Sequence, residues 1–169
     1  MAHGDISPDD PRADDVRELL ERHLAFANQH SPPEDVHALD VNGLLDPAVA
    51  FFGYRVDGAL LAVGALRAID AHHAELKSMH TSAAARRQGI GRAMLAHLIG
   101  VARRRRFRRL SLETGSMPAF DAARSLYAAA GFKPCGPFGG YRESPNSTFM
   151  IMSLDDPGSG CAEDGVADA

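Results

Sequence analysis

Apolar residues recur at helical spacing at Val16, Leu19, Leu20, Leu24 and Ala27, just after an Asp10-Pro11 pair suited to a cap and a first helical position. The pattern predicts a helix over 11–28. Residues 30–39, His-Ser-Pro-Pro-Glu-Asp-Val-His-Ala-Leu, are broken by proline and predict a connection with a short helical turn near 35–45. Two apolar runs, 51–56 and 59–69, flank Asp57-Gly58, a strong turn signal, and predict an antiparallel hairpin.

The spacing then predicts a strand over 73–81, followed by a helix whose buried stripe is Ile90, Met94, Leu95, Leu98, Val101 and Ala102. A short strand over 110–113 leads through a turn at 115–117 to a helix that opens at Pro118 and stops at Gly131. Late strands are expected over 132–136 and 148–154. The tail, 155–169, is acidic, small and glycine-bearing, a composition that predicts disorder, and residues 1–5 read as a short leading tail to a domain spanning 6–154.

Composition narrows the function more than the fold. A chain of 169 residues, 45% hydrophobic and 24% charged, predicts one ordinary globular domain with a proper core. The longest apolar runs fall short of a membrane span, and the start, Met-Ala-His-Gly-Asp-Ile, lacks a signal peptide's basic and apolar regions, so the expectation is a cytoplasmic protein with no membrane partner. Cys135 and Cys161 are too few for a disulfide framework or a zinc site, and no metal is expected. A net charge of −4 argues against nucleic acid as a partner, although six of the seven residues from Arg103 to Arg109 are arginine. Cations at a helix C-terminus complement its dipole and are readily solvated; a contact to a ligand phosphate or to an acidic partner surface are the other readings.

The segment Glu75 to Arg92 carries the most specific chemistry. It predicts an extended strand that turns into a helix N-terminus, where unpaired N–H groups and the helix dipole attract anions. Gly89 and Gly91 let a diphosphate approach the main chain, and Arg86, Arg87 and Arg92 add charge-assisted hydrogen bonds. A dinucleotide fingerprint would need glycine or alanine where Met94 stands, and the Gly-Lys-Ser/Thr of a P-loop is absent.

The order Arg86-x-x-Gly89-x-Gly91, joined to Leu-Tyr-Ala-Ala-Ala-Gly-Phe at 126–132, resembles the two signatures of the GNAT superfamily of N-acetyltransferases. The resemblance implies an α/β (α+β) fold with a mixed, mostly antiparallel sheet splayed between its fourth and fifth strands. It also implies acetyl-CoA in the gap, its diphosphate held by Arg86, Arg87, Gln88, Gly89, Ile90, Gly91 and Arg92, and its pantetheine arm paired to the main chain of Met79, His80 and Thr81. One departure is Phe120, where many members carry asparagine. Leu-Glu-Thr-Gly at 112–115 and Ser-Pro-Asn-Ser at 144–147 resemble the bacterial YsnE-type subgroup.

Acetyl transfer to an amine poses three demands. An alkyl ammonium of pKa near 10 is only about one part in a thousand neutral at pH 7, so a base must take its proton. Negative charge develops on the carbonyl oxygen and needs an N–H donor, and the departing thiolate needs an acid. Glu75, eleven residues before Arg86, matches the base of some family members, with His72, His73 and His80 as relays; Tyr127 matches the general acid. The acceptor site would draw on His37, Lys77, Tyr141, Arg142 and Asn146, Lys77 and Arg142 supplying cations for a substrate carboxylate. The leading expectation is direct transfer to a small-molecule amine, with protein lysine or N-terminal acetylation, or a silent CoA-binding module, as alternatives. A homodimer fits the family's habit.

Overall fold

A computed structural model of the chain describes residues 4–155. Residues 1–3 of the expected leading tail and 156–169 of the acidic tail lie outside the described residues. Seven strands form one sheet: β1 (Asp5–Pro8), β2 (Val49–Val56), β3 (Ala59–Ala68), β4 (His73–Thr81), β5 (Arg109–Gly115), β6 (Lys133–Cys135) and β7 (Ser147–Ser153). Their order is β1-β2-β3-β4-β5-β7-β6, and every neighbouring pair is antiparallel except β4 and β5. The helices are α1 (Asp14–His30), α2 (Val41–Leu44), α3 (Ile90–Arg104) and α4 (Asp121–Ala130).

The expected stripe of α3 is buried in full, Met94 to Ala102 against Leu66, Leu76, Leu110 and Leu112 of the sheet and Ile90 against Ala62 and Ala85. On the opposite face Val16, Leu19 and Leu20 of α1 pack on Phe51, Val63 and Ala65. The hairpin turn falls at Asp57-Gly58, both with positive φ, as the sequence predicts.

The starts of α1 and α4 differ from the sequence reading by three residues each. Helix α1 begins at Asp14 rather than Pro11, because the Asp10 carboxylate accepts from the main-chain N–H of Arg12 and from its guanidinium, closing a local turn that competes with a helical start. The Pro118 segment is a single 3-10 turn, Pro118–Phe120, before α4 opens at Asp121. Strand β1, at the sheet edge, is too short to show a period and was not located by pattern.

Strands β4 and β5 pair only from His73, Ala74 and Glu75 to Arg109, Leu110 and Ser111. Beyond them the strands part. Strand β4 stays with β3 as far as Thr81, while β5 stays with β7 as far as Gly115. Along β4 the register slips, so that Ser78 and Met79 together stand against Gly64, and Ser78 takes a φ of 54°. Such a bulge bends the strand and leaves one residue's main-chain groups without ladder partners.

Candidate active site

The parted strands open a cleft of about 710 Å³. Its floor is β4 from Leu76 to Thr81, its far wall is Leu112–Gly115 of β5, and its ends are the loop before α3 and the Tyr127 face of α4. Gly89 caps α3 with a φ of 77°, and no side chain caps the helix, so its first N–H groups face the cleft unclaimed. A Cβ built at Gly89 would meet no protein atom within 4 Å, so space beside the main chain stays open there. Arg86, Arg87 and Arg92 are exposed along the same rim. Gln88 does not join them: its side-chain amide donates to the carbonyl of Ala84 at 3.1 Å. Ile90 is 6% exposed and packs its side chain with Ala62 and Ala85, anchoring the loop where it lines the cleft.

Alternation along β4 sends Leu76 into the α3 core and puts Glu75 and Lys77 on the α1 face, both buried. Buried charges need partners. Lys77 Nζ donates to the His37 carbonyl at 2.9 Å and to the Tyr141 hydroxyl at 2.8 Å, and lies 3.4 Å from Glu75 Oε1. The Tyr141 hydroxyl donates to the same Glu75 oxygen. Burial, then the charge of Glu75, holds that hydroxyl far above its ordinary pKa, so it remains a donor. This cluster ties three chain segments together. Asn146 reinforces it by donating to Asp35 at 3.0 Å.

Behind the cluster lies a second cavity of about 770 Å³, lined by Glu75, Arg67, Tyr141 and Arg142. Asp35, His37, Ala38 and Lys77 line both spaces, so they mark the boundary between them. Glu75 therefore opens on the second cavity and not on the cleft. Among the described residues two carboxylates do line the cleft: Asp35, at its boundary with the second cavity, and Glu113 of β5, a residue the sequence reading passed over. Burial raises its pKa to about 7, over the opposing pull of Ser147 and Lys77. On the other side of the parted sheet Tyr127 is 8% exposed, and burial, then the charge of Glu113, pushes its pKa up to about 12.

The Acetyltransferase (GNAT) family profile matches residues 13–132. The chain belongs to that family. It is 43% identical over 149 residues to the uncharacterized N-acetyltransferase YsnE of Bacillus subtilis (strain 168), covering 88% of this chain and 99% of that one. It is 41% identical over 149 residues to the uncharacterized N-acetyltransferase YedL of Escherichia coli (strain K12), covering 88% and 94%. Among solved structures, a Klebsiella pneumoniae protein assigned to the acyl-CoA N-acyltransferases superposes with a TM-score of 0.78 at 26% identity, over 92% of this chain and 100% of its own. A GNAT acetyltransferase of Elizabethkingia anophelis solved with acetyl-CoA bound shares the fold at a TM-score of 0.63 and 16% identity, over 89% and 97%.

In this acetyltransferase the remaining candidates fall into place as follows. The rings of His80 and His23 meet tilted at 5.1 Å between centroids, and burial lowers both to a pKa of about 4, so the pair is neutral beside the cleft. His73 is a structural residue, its Nε2 2.6 Å from Ser111 Oγ where the strands still pair, and His72 is exposed. Phe120 covers Gly115, where a Cβ would overlap its ring, and meets Phe26 of α1 edge-on at 5.4 Å across the cleft. Thus the position that is asparagine in many members here closes the wall with an aromatic contact. The run Arg103 to Arg109 begins at the far end of the 15-residue α3, about 22 Å from the loop at Gly89, beyond the reach of a nucleotide phosphate held there. Among the described residues no helix is long and apolar enough to cross a membrane.

The signal for Glu113 was present in Leu-Glu-Thr-Gly. Its neighbour Leu112 is 1% exposed, so alternation puts the glutamate on the other face, at the point where β5 leaves β4. Only the splay makes that face a cleft wall.

Proposed function

We propose that this acetyltransferase moves an acetyl group from acetyl-CoA to the amine of a small molecule by direct transfer, with Glu113 taking the amine's proton and Tyr127 supplying one to the departing sulfur. The observation that carries the reading is the opposition of Glu113 and Tyr127 across a single gap in the sheet, with the uncapped α3 terminus at one end of it.

The cleft suits the cofactor chemically. Main-chain N–H groups at Gly89 to Arg92, with Arg86, Arg87 and Arg92, would hold the diphosphate, and the main chain of Met79, His80 and Thr81 would align the pantetheine arm. Acetyl-CoA supplies an acetyl group already activated as a thioester. The unpaired main-chain groups of the Ser78–Met79 bulge lie on the strand edge that lines the cleft, where an N–H donor stabilises negative charge on the acetyl oxygen.

A carboxylate whose pKa is about 7 is both substantially ionised at neutral pH and basic enough to accept a proton. Glu75 is less suited, since Lys77 and Tyr141 occupy its oxygen and it faces the second cavity. Its role in this reading is positioning: it fixes Lys77 and Tyr141, which set the acceptor wall. A small acceptor, rather than a protein segment, is supported by the size of the second cavity, about 770 Å³, and by the cross-ties of Lys77 to His37 and Asn146 to Asp35 that enclose it.

Acetyl-CoA at a hundred times its Kd should add about 2.7 kcal/mol of stability, on the order of 5–10 °C in Tm for a domain of this size. A scan with and without the cofactor, followed by release of free CoA thiol over a panel of amines, tests the reading; no thermal shift and no thiol release would end it. Tyr127→Phe should lower kcat about 10- to 100-fold without changing acetyl-CoA affinity. Unaltered kcat would leave Tyr127 as a packing residue.

A further inference from the structure

The second cavity contains two guanidinium groups without a counter-ion. Arg67 stands on β3 directly opposite Glu75, and Arg142 follows Tyr141 on the loop between β6 and β7; both line the cavity, and neither has a salt bridge among the described residues. Both side chains are exposed at the mouth of the cavity, where a guanidinium stays solvated and open to an incoming anion. Glu75 is occupied by Lys77 and Tyr141, Asp35 by Asn146, while Glu34 and Glu143 are exposed on the rim and pair with neither arginine.

Lys77, the cation expected from sequence to hold a substrate carboxylate, is already neutralised by Glu75 and has its protons directed at His37 and Tyr141. The cations lining the cavity that carry no ion pair among the described residues are therefore Arg67 and Arg142, with Glu34 and Glu143 on its rim likewise unpaired. A guanidinium offers two parallel N–H donors matched to a carboxylate's two oxygens, and two such groups around a concave site favour a planar anion.

We propose that the acceptor is an amine that also carries a carboxylate, bound with the carboxylate at Arg67 and Arg142 in the second cavity and the amine directed past Lys77 and His37 into the cleft. Asp35, which lines both spaces, and Glu113 stand on the amine's route and attract its ammonium form. The two ends of the molecule are thus sorted by charge. This assignment rests on the reading of the cleft as the transfer site, and it adds Arg67, which no sequence motif marks, as a specificity-determining residue.

The test compares amines that differ only in the anion: glycine, β-alanine, glutamate and lysine, each against its carboxamide, with CoA thiol release as the readout. The carboxamide has the less basic amine, so intrinsic reactivity favours it, and a preference for the acid reports the pocket. The wild-type enzyme should favour the acid of the best pair at least about 10-fold in kcat/KM. Arg67→Gln and Arg142→Gln should each lower kcat/KM for that acid about 10- to 100-fold through KM, leaving the carboxamide and the KM of acetyl-CoA unchanged, and Arg67→Lys should recover part of the loss. Equal use of acid and carboxamide by the wild type overturns the proposal while leaving acetyl transfer standing, as does an equal loss on both substrates in either glutamine variant. Turnover of neither member of any pair, together with a normal thermal shift on acetyl-CoA, overturns it too; failure of that shift sinks the transfer reading itself.

Discussion

Glu113→Gln should lower kcat by about 10²- to 10³-fold while leaving acetyl-CoA affinity unchanged, the largest effect of any single side chain in the cleft. Glutamine keeps the shape and the hydrogen-bonding edge but cannot accept a proton. In the wild type a base of pKa about 7 must be ionised to work, so kcat/KM should rise with pH through that value and level off above it. The variant should lose that limb.

Stability should move the other way. The folded chain binds a proton at Glu113 more tightly than the unfolded chain does, because burial raises the pKa from 4.5 to about 7. Between those two values the fold loses stability as pH rises, and above pH 7 the whole penalty is present, on the order of 3 kcal/mol before any relaxation of the partly buried group. Glu113→Gln removes the penalty, so at pH 8 the variant should melt at or above the wild-type temperature even though it is nearly inactive. A structural glutamate would behave oppositely. Glu75→Gln provides the contrast: it should cost stability by leaving Lys77 buried beside a neutral partner, with a smaller loss of kcat. If the pH–rate profile of Glu113→Gln matches the wild type, Glu113 is not the base.

Gly89→Val should abolish the thermal shift on acetyl-CoA, a loss of at least about 100-fold in affinity. Two effects combine. The residue holds a φ of 77°, a region that costs a β-branched side chain on the order of 1–3 kcal/mol, and the space beside its Cα, empty of protein atoms, is where the diphosphate would lie. Gly89→Asn separates them, since asparagine adopts left-handed backbone readily but still fills the space. Both variants should fold, and both should bind weakly by calorimetric titration. Normal binding by the valine variant would remove the diphosphate from this loop.

Much of the architecture was legible because it depends on local pattern. The α3 stripe, the Asp57-Gly58 hairpin, the strand over 73–81 and the glycine that ends α4 each follow from periodicity or from a backbone conformation that few residues adopt. The loop that opens α3 was legible for the same reason, its arginines and glycines being contiguous. Charged positions on the strands were not. Glu75 and Glu113 both adjoin leucines, and although Lys77 two positions on offers Glu75 an ion pair on the same strand face, no local pattern shows which of the two carboxylates is left facing a cleft.

What the sequence alone determined is the family, the order of elements and the glycine-and-arginine turn that opens α3, since all three are written in neighbouring residues. Tertiary structure decided which glutamate faces the cleft, because that depends on where β5 leaves β4 and on Tyr141, sixty-six positions along the chain from Glu75, closing over Lys77. It also decided which cations stay free. A buried charge is defined by its partners, and partners are chosen in space.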